Sequence, residues 1–309
     1  MVENLDCKEH KSGYVAIVGK PNVGKSTLMN ALLEQKVAAV SVRPQTTRKR
    51  QLGILTRKEA QIIFVDTPGL HKPDYKLSSF INSEAIAALH DADTILFLVD
   101  GSKAPDVEDQ KLASEIRAID PKIPVIIALN KCETVGISER ELRAKAFYAL
   151  LDKGSTIEIS ALRNQNLGGL ISVLIETLPV GPEFFPTDQV TDYFERDIAS
   201  DLIREACLNY LEDEIPHTIA VRIDEYQERS DSGGFISATI FVERESHKGM
   251  VIGKRGEMLK KIGTMARQEI ETMSDRKIFL ELRVKVAKNW RNDKDQLKRF
   301  GYTSQGGIK

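Results

Sequence analysis

Cysteine is scarce in this chain. Its three thiols, Cys7, Cys132 and Cys207, lie far apart with no paired spacing, so the sequence suggests neither a disulfide framework nor a zinc knuckle and points to a reducing compartment. The five histidines, His10, His71, His90, His217 and His247, show no close metal-ligand spacing and read as surface or loop residues. No apolar run comes near the roughly 18 residues that a membrane span requires. The polar start, with Glu3, Asp6 and Glu9, lacks the basic-then-apolar pattern of a secretion signal. The expectation is a cytoplasmic protein, with peripheral membrane contact left open. Internal repeats and low-complexity stretches are absent, and there is one tryptophan, Trp290.

What is present is ordinary in bulk and uneven in distribution. A length of 309 residues, 41% of them hydrophobic and 29% charged, suits a globular protein of two domains. The net charge of −1 conceals an asymmetry: residues 183–245 carry 16 acidic and 5 basic side chains, whereas residues 246–309 carry 7 and 16. Either the two blocks pair within one domain, or the basic block offers a surface to a polyanion while the acidic one restricts where it lands.

Short runs rich in Val and Ile at 14–19, 62–66, 94–100, 125–130 and 156–160 predict buried strands, with helical patterns at 26–34, 79–89, 106–118, 139–151 and 167–178 between them. Such alternation predicts an α/β domain with a mostly parallel sheet, helices on both faces and ligand-binding residues at the strand ends. Three prolines within 179–186 mark a connection. Beyond it the expected order is helix (193–211), strand (218–226), strand (235–242), helix, strand (278–287) and a charged helix from about residue 289, an α+β pattern. The expected division is residues 1–180, a linker over 181–190, and a second domain over 191–309.

Gly19-Lys20-Pro21-Asn22-Val23-Gly24-Lys25-Ser26, continuing into Thr27, follows the first predicted strand with the spacing of a phosphate-binding loop. Successive backbone N–H groups in such a loop face a polyphosphate, at the start of a helix whose dipole adds partial positive charge. Lys25 is expected to reach the outer phosphates, and the Ser26 hydroxyl to bind the Mg2+ that bridges them. Asp66-Thr67-Pro68-Gly69 ends another strand. It places a carboxylate where it can hold a Mg2+-bound water, and the Gly69 N–H near the terminal phosphate.

Two further strand ends carry Asn130-Lys131-Cys132-Glu133 and Ser160-Ala161. In this order and placement, the elements resemble those of the Ras-like GTPase superfamily, the last two resembling its guanine-binding elements. Guanine recognition needs an acceptor carboxylate for two neighbouring N–H donors and a donor near the ring carbonyl. The superfamily's usual carboxylate is Asp; Glu133 keeps the charge and shifts its reach by one methylene, a cost of about 1–3 kcal/mol. Glu133→Asp is therefore expected to tighten GTP binding, measured by equilibrium titration, and unchanged affinity would contradict this placement of the carboxylate.

Leu70 stands where Ras carries the glutamine that orients the attacking water. Hydrolysis is expected to be slow, on the order of 10^-3 per second, a barrier of roughly 21 kcal/mol. GTPases with an apolar residue there include a group whose phosphate-loop asparagine binds K+. Asn22 either matches that asparagine or forms the turn after Pro21. The polar, basic segment 43–50 predicts a loop in which Thr47, preferred over Thr46, grips Mg2+ while the third phosphate is present. The expected catalytic residues are Lys25, Asn22, Thr47 and Gly69.

In the second domain, Gly253-Lys254-Arg255-Gly256 forms a G-x-x-G turn before a predicted helix at 257–272. The glycines let a sugar-phosphate backbone approach main-chain N–H groups, Lys254 and Arg255 neutralise phosphates, and a groove beside Val251 and Ile252 takes about four unpaired nucleotides. A KH module is built this way, and the element order, with the turn after two strands, resembles the type II KH arrangement. Lys260, Lys285, Lys288 and Arg291 extend the expected RNA-binding surface. Trp290 either stacks on a base or seals the last helix to its domain.

With Pro44-Gln45-Thr46-Thr47-Arg48, Asp66-Thr67-Pro68-Gly69-Leu70-His71, Glu214-Ile215-Pro216-His217 and Val251-Ile252-Gly253-Lys254-Arg255-Gly256, the chain resembles the Era family of bacterial GTPases over nearly its whole length. Glu133 is the departure. The resemblance implies GTP and GDP as ligands, binding to the 3′ end of 16S ribosomal RNA and the nearby hairpin, a part in 30S subunit assembly, and some association with the inner face of the cell membrane. A monomer is expected. Two other readings stand beside it: a P-loop kinase or ATPase, for which the Asn130–Glu133 element has no use, and an RNA-binding module whose nucleotide is structural.

Overall fold

The computed structural model describes residues 9–41, 43, 47–68, 75–230 and 233–302, the side chains of Arg229 and Ser230 excepted. The first half alternates as β1 (Lys11–Val18), α1 (Lys25–Leu33), β2 (Gln51–Thr56), β3 (Ala60–Asp66), α2 (Lys76–His90), β4 (Thr94–Asp100), α3 (Val107–Ala118), β5 (Val125–Asn130), α4 (Ile137–Leu151), β6 (Ser155–Glu158) and α5 (Leu167–Thr177). Its sheet runs β2-β3-β1-β4-β5-β6, parallel throughout except for β2 against β3.

Apolar runs in β4 and β5 feed both faces, because successive side chains of a strand point to opposite sides. Leu96, Leu98, Ile126 and Ala128 pack with Leu28 and Met29 of α1 and Leu170 and Leu174 of α5. Ile95, Phe97, Val99, Ile127 and Leu129 meet Leu112 and Ile116 of α3 and Phe147 of α4. The edge strand β2 does not emerge from the sequence pattern. Gly53 interrupts it, and the Leu33 and Met29 side-chain ends of α1 pack close above that glycine, 2.8 and 2.9 Å from where a Cβ would stand.

The proline-bearing connection is held against this sheet. Gln61, fully buried, accepts from the N–H groups of Phe184 and Phe185 and donates to the Phe185 carbonyl, while Ile54 N–H donates to Val190 O and Leu52 N–H to Asp192.

The second half comprises α6 (Glu195–Tyr210), β7 (Ala220–Ser230), β8 (Gly233–Val242), α7 (Glu245–Ile252), α8 (Glu257–Ser274), β9 (Lys277–Val286) and α9 (Lys294–Arg299). Its sheet, β7-β8-β9, is antiparallel at β7-β8 and parallel at β8-β9. Ile236, Ala238, Ile240 and Val242 face α6 and α8, and α8 answers with Ile262, Ala266 and Ile270 at four-residue spacing.

The charged helix expected from about residue 289 is shorter and starts later. Asn289 takes a left-handed conformation, a single 3-10 turn covers Trp290–Asn292, and the Asp293 side chain caps α9. Lys285 therefore lies on β9, and Lys285, Lys288 and Arg291 share no helical face. Trp290 is fully buried: Nε1 donates to Thr218 O at 2.8 Å, and the ring packs against Phe300 and Tyr302 beside Leu77 and Ile81 of α2. It seals the chain's end onto both halves of the molecule, and base stacking is ruled out by burial. Trp290→Ala is expected to cost about 3–5 kcal/mol of stability, read as a lower urea midpoint; an unchanged midpoint would contradict the packing role.

Candidate nucleotide and RNA sites

The phosphate loop connects β1 to α1, and packing demands both its glycines. A Cβ on Gly19 would lie 2.2 Å from Leu98 O, and one on Gly24, at φ 103°, 2.4 Å from Asn130 Nδ2. Lys25 Nζ donates to the carbonyls of Gly19 and Lys20, each at 2.9 Å. Burial pushes its pKa down to about 8 against the opposing pull of the Asp66 carboxylate. The Lys20 side chain points away from the cradle, to α3. Its ammonium bonds Asp106 at 2.6 Å and Asp109 at 2.7 Å, the two carboxylates of the α3 capping box, so it anchors the loop to α3 while its carbonyl serves the cradle.

Three oxygen-bearing side chains meet beside the loop. Ser26 Oγ lies 2.8 Å from Asp66 Oδ2 and 3.0 Å from Thr47 Oγ1, and Thr47 Oγ1 is 3.1 Å from the same carboxylate oxygen. Asp66 is wholly buried, and its Oδ1 has no hydrogen-bond partner among the described residues. Burial raises the carboxyl pKa, and Lys25 and the two hydroxyls draw it back down. A buried carboxylate with a spare oxygen beside two hydroxyls is a donor set that suits a hard cation.

A cavity of about 60 Å³ lies against this group, bordered by Pro21, Asn22, Gly24, Lys25, Ser26, Thr27 and Thr47, and also by Ala39, Val40, Ser41 and Arg43. Residues 39–41 carry no motif and were not legible as lining. The Thr67 hydroxyl donates to Ile17 O at 2.7 Å inside the protein and ties β3 to β1 instead of facing the cavity. Pro68 follows it. Thr46, Gly69 and Leu70 lie outside the described residues.

At the far end of the loop, one amide joins three segments. Asn130 Nδ2 donates to Val23 O at 2.7 Å, and Asn130 Oδ1 accepts from Ala161 N–H at 2.9 Å. The Ala161 N–H is thus bonded to the Asn130 amide. Lys131, at φ 65°, reaches Asp100 at 2.8 Å. Cys132 is buried with its N–H on Ile159 O, and Ser160 is buried with its hydroxyl accepting from Arg163 N–H. Glu133 Oε2 is buried and has no hydrogen-bond partner among the described residues. An unpaired buried acceptor costs free energy until a donor arrives, and two adjacent N–H groups on a base edge would supply one.

In the second domain α7 ends at Ile252 and α8 begins at Glu257, with the G-x-x-G turn between them. Gly253 (φ 73°) and Gly256 (φ 81°) hold conformations that glycine takes without strain, and a Cβ on Gly253 would strike Met258 at 2.6 Å. Nothing lies within 4 Å of a Cβ placed on Gly256, so that face of the turn is open to an approaching backbone. Lys254 and Arg255 are exposed. A groove of about 390 Å³ runs from Gly256 between α8 and β9, bordered by Leu259, Lys260, Gly263, Arg267, Leu280 and Leu282.

Several expected RNA contacts fall elsewhere. Val251 is fully buried in the domain core, Ile252 is half-buried at the end of α7, and the groove lies on the α8–β9 side. Lys285 is odd-numbered on β9, on the sheet face opposite Leu280 and Leu282. Arg291 is bound to both oxygens of Glu243, at 2.6 and 3.1 Å, and lies 3.9 Å over the Tyr75 ring. Arg276 similarly bridges the acidic block through Glu195 and Glu228. Among the described residues, however, no ion pair holds Lys254, Arg255, Lys260 or Lys288. The two charge blocks pair in part, and the turn keeps its positive charge.

Among the described residues no helix is long and apolar enough to cross a membrane. The family described as 50S ribosome-binding GTPase matches residues 14–131, and the KH domain family matches residues 214–291. The sequence is 43% identical over 293 residues to GTPase Era of Ruminiclostridium cellulolyticum, covering 95% of this chain and 98% of the relative. It is 42% identical to GTPase Era of Halothermothrix orenii, covering 95% and 99%. The fold matches a crystal structure of Era in complex with MgGDPNP and nucleotides 1506–1542 of 16S ribosomal RNA, with a TM-score of 0.90, 38% identity and coverage of 96% of this chain and 100% of that one. A variant of Aquifex aeolicus Era bound to GDP·AlF4− also matches with a TM-score of 0.90, at 38% identity over 95% of this chain. With relatives of this identity spanning both halves of the molecule, the chain belongs to the Era family of GTPases.

Proposed function

We propose that this protein is a slowly hydrolysing GTP switch that binds the 3′ end of 16S ribosomal RNA and assists 30S subunit assembly. The observation that carries the reading is the match, at a TM-score of 0.90, to an Era structure holding MgGDPNP and 16S RNA. The phosphate cradle and the open G-x-x-G groove of this chain support it. In this reading residues 1–180 bind nucleotide, 181–190 connect, and 191–309 bind RNA through the turn and the α8–β9 groove. Association with the inner face of the membrane follows from the family resemblance, and a monomer is expected.

Ser26, Thr47 and Asp66 would hold Mg2+, and the spare Asp66 oxygen supports that fit. The ion supplies neutralisation of the phosphate charge. Lys25 binds the outer phosphates, and Glu133 accepts from the guanine edge. Leu70 in place of a water-orienting glutamine supports slow turnover. Asn22, at φ 65° and bordering the cavity, is the residue to which the K+ role is assigned in this reading. Hydrolysis is expected to be faster in KCl than in NaCl, and Asn22→Ala to abolish the difference; equal rates in both salts would remove the K+ role.

The switch reading is tested by titrating the RNA 3′ fragment onto protein loaded with GDPNP or with GDP. Tighter binding with GDPNP is expected. Equal affinities would favour the alternative in which the nucleotide is structural.

A further inference from the structure

Two sequence motifs have no part in the sites described above, Arg48 after Thr47 and the Glu214–His217 segment. They meet each other. Arg48 is 2% exposed, and its guanidinium crosses into the second domain, where Nη1 donates to Ile219 O at 2.6 Å and Nη2 to His217 O at 3.1 Å. It sits 5.9 Å from the centre of the Trp290 ring, and the Tyr302 hydroxyl is 3.4 Å away. Thr47, the preceding residue, touches Ser26 and Asp66. Consecutive residues of one segment thus hold the candidate metal site and the interior of the RNA-binding domain.

We propose that Arg48 is a positioning residue that couples the nucleotide site to the G-x-x-G turn, an inference that rests on the GTP-switch reading above. The contacts continue beyond it. The carbonyls it grips flank Thr218, whose own carbonyl accepts from Trp290 and whose hydroxyl lies 3.4 Å from Nδ1 of His247. His247 is buried on α7, the helix that ends at the turn.

The chemistry of the grip suits a positional signal. A planar guanidinium fork on two fixed carbonyls tolerates little displacement, whereas a lysine would make a single adaptable contact. Arg48 is also a poor source of stability. It is a buried charge with no ion pair among the described residues, its Nε has no partner among them, and Arg204 and Arg291 oppose it electrostatically. If the third phosphate fixes Thr47, it fixes Arg48, and whichever placement RNA favours will in turn favour that nucleotide.

Other ties hold the domains together without it. Lys36 bridges Glu205 and Glu269 at 3.1 and 2.6 Å, Val40 N–H donates to Glu205, and Leu77 and Ile81 join the Trp290 cluster.

The test compares wild type, Arg48→Lys and Arg48→Ala, each loaded with GDPNP or GDP and titrated with the 16S RNA 3′ fragment. For wild type the two affinities are expected to differ about tenfold, and for Arg48→Ala by no more than about twofold. Arg48→Lys, which keeps the charge and guards against misfolding, is expected to lose most of the difference. The ratio of GDPNP to GDP affinity, measured with and without RNA, must change by the same factor. A wild-type difference retained in both variants would overturn the inference alone; equal wild-type affinities would overturn the switch reading and this inference with it.

Discussion

Replacing Lys25 with alanine is expected to slow GTP hydrolysis by about 10²–10³-fold, the usual cost of removing one preorganised donor from developing phosphate charge. Burial explains why the effect is large. The Lys25 ammonium is desolvated enough to bring its pKa down to about 8, and in a poorly solvated site a phosphate oxygen interacts with it far more strongly than in water. Its present partners are the carbonyls of Gly19 and Lys20, neutral acceptors that a phosphate outcompetes by charge. Single-turnover hydrolysis at saturating GTP isolates the chemical step from binding. A variant within tenfold of wild type would mean that Lys25 serves the loop's own structure and little else.

Reversing the charge of the turn, with Lys254→Asp and Arg255→Asp together, is expected to weaken RNA binding by about 10²–10³-fold at low salt, through two lost phosphate contacts and two added repulsions. The salt dependence carries a sharper signature. Losing two phosphate contacts on a single strand should reduce the slope of log K against log salt by about 1.4. Folding should be intact, since both side chains are exposed and Asp tolerates the left-handed conformation of Arg255. A variant that keeps both affinity and slope would place the RNA elsewhere on the domain.

The sequence carried most of the fold because hydrophobic runs of strand length are strong signals when both faces of a sheet are buried. It missed β2, where Gly53 breaks the alternating pattern beneath Leu33 and Met29. Site elements were legible where main-chain geometry demands a residue type, as at Gly24, Gly253 and Gly256. Side chains that join distant segments were not. Nothing local to Lys20 reveals Asp109, nothing local to Arg291 reveals Glu243, and a basic run looks the same whether paired or free. Trp290 had two readings in the sequence, and its contact with α2, more than 200 positions away, selects one. The segment 39–41 was invisible for a similar reason, since Ala, Val and Ser line the cavity through position and carry no motif.

Crosslinking the protein to RNA in growing cells and sequencing what it holds tests the central claim most directly. Reads concentrated at the 3′ end of the small-subunit ribosomal RNA, and lost in the Lys254→Asp, Arg255→Asp variant, are the expected result. Recovery of messenger or transfer RNA without that ribosomal end would contradict the assignment.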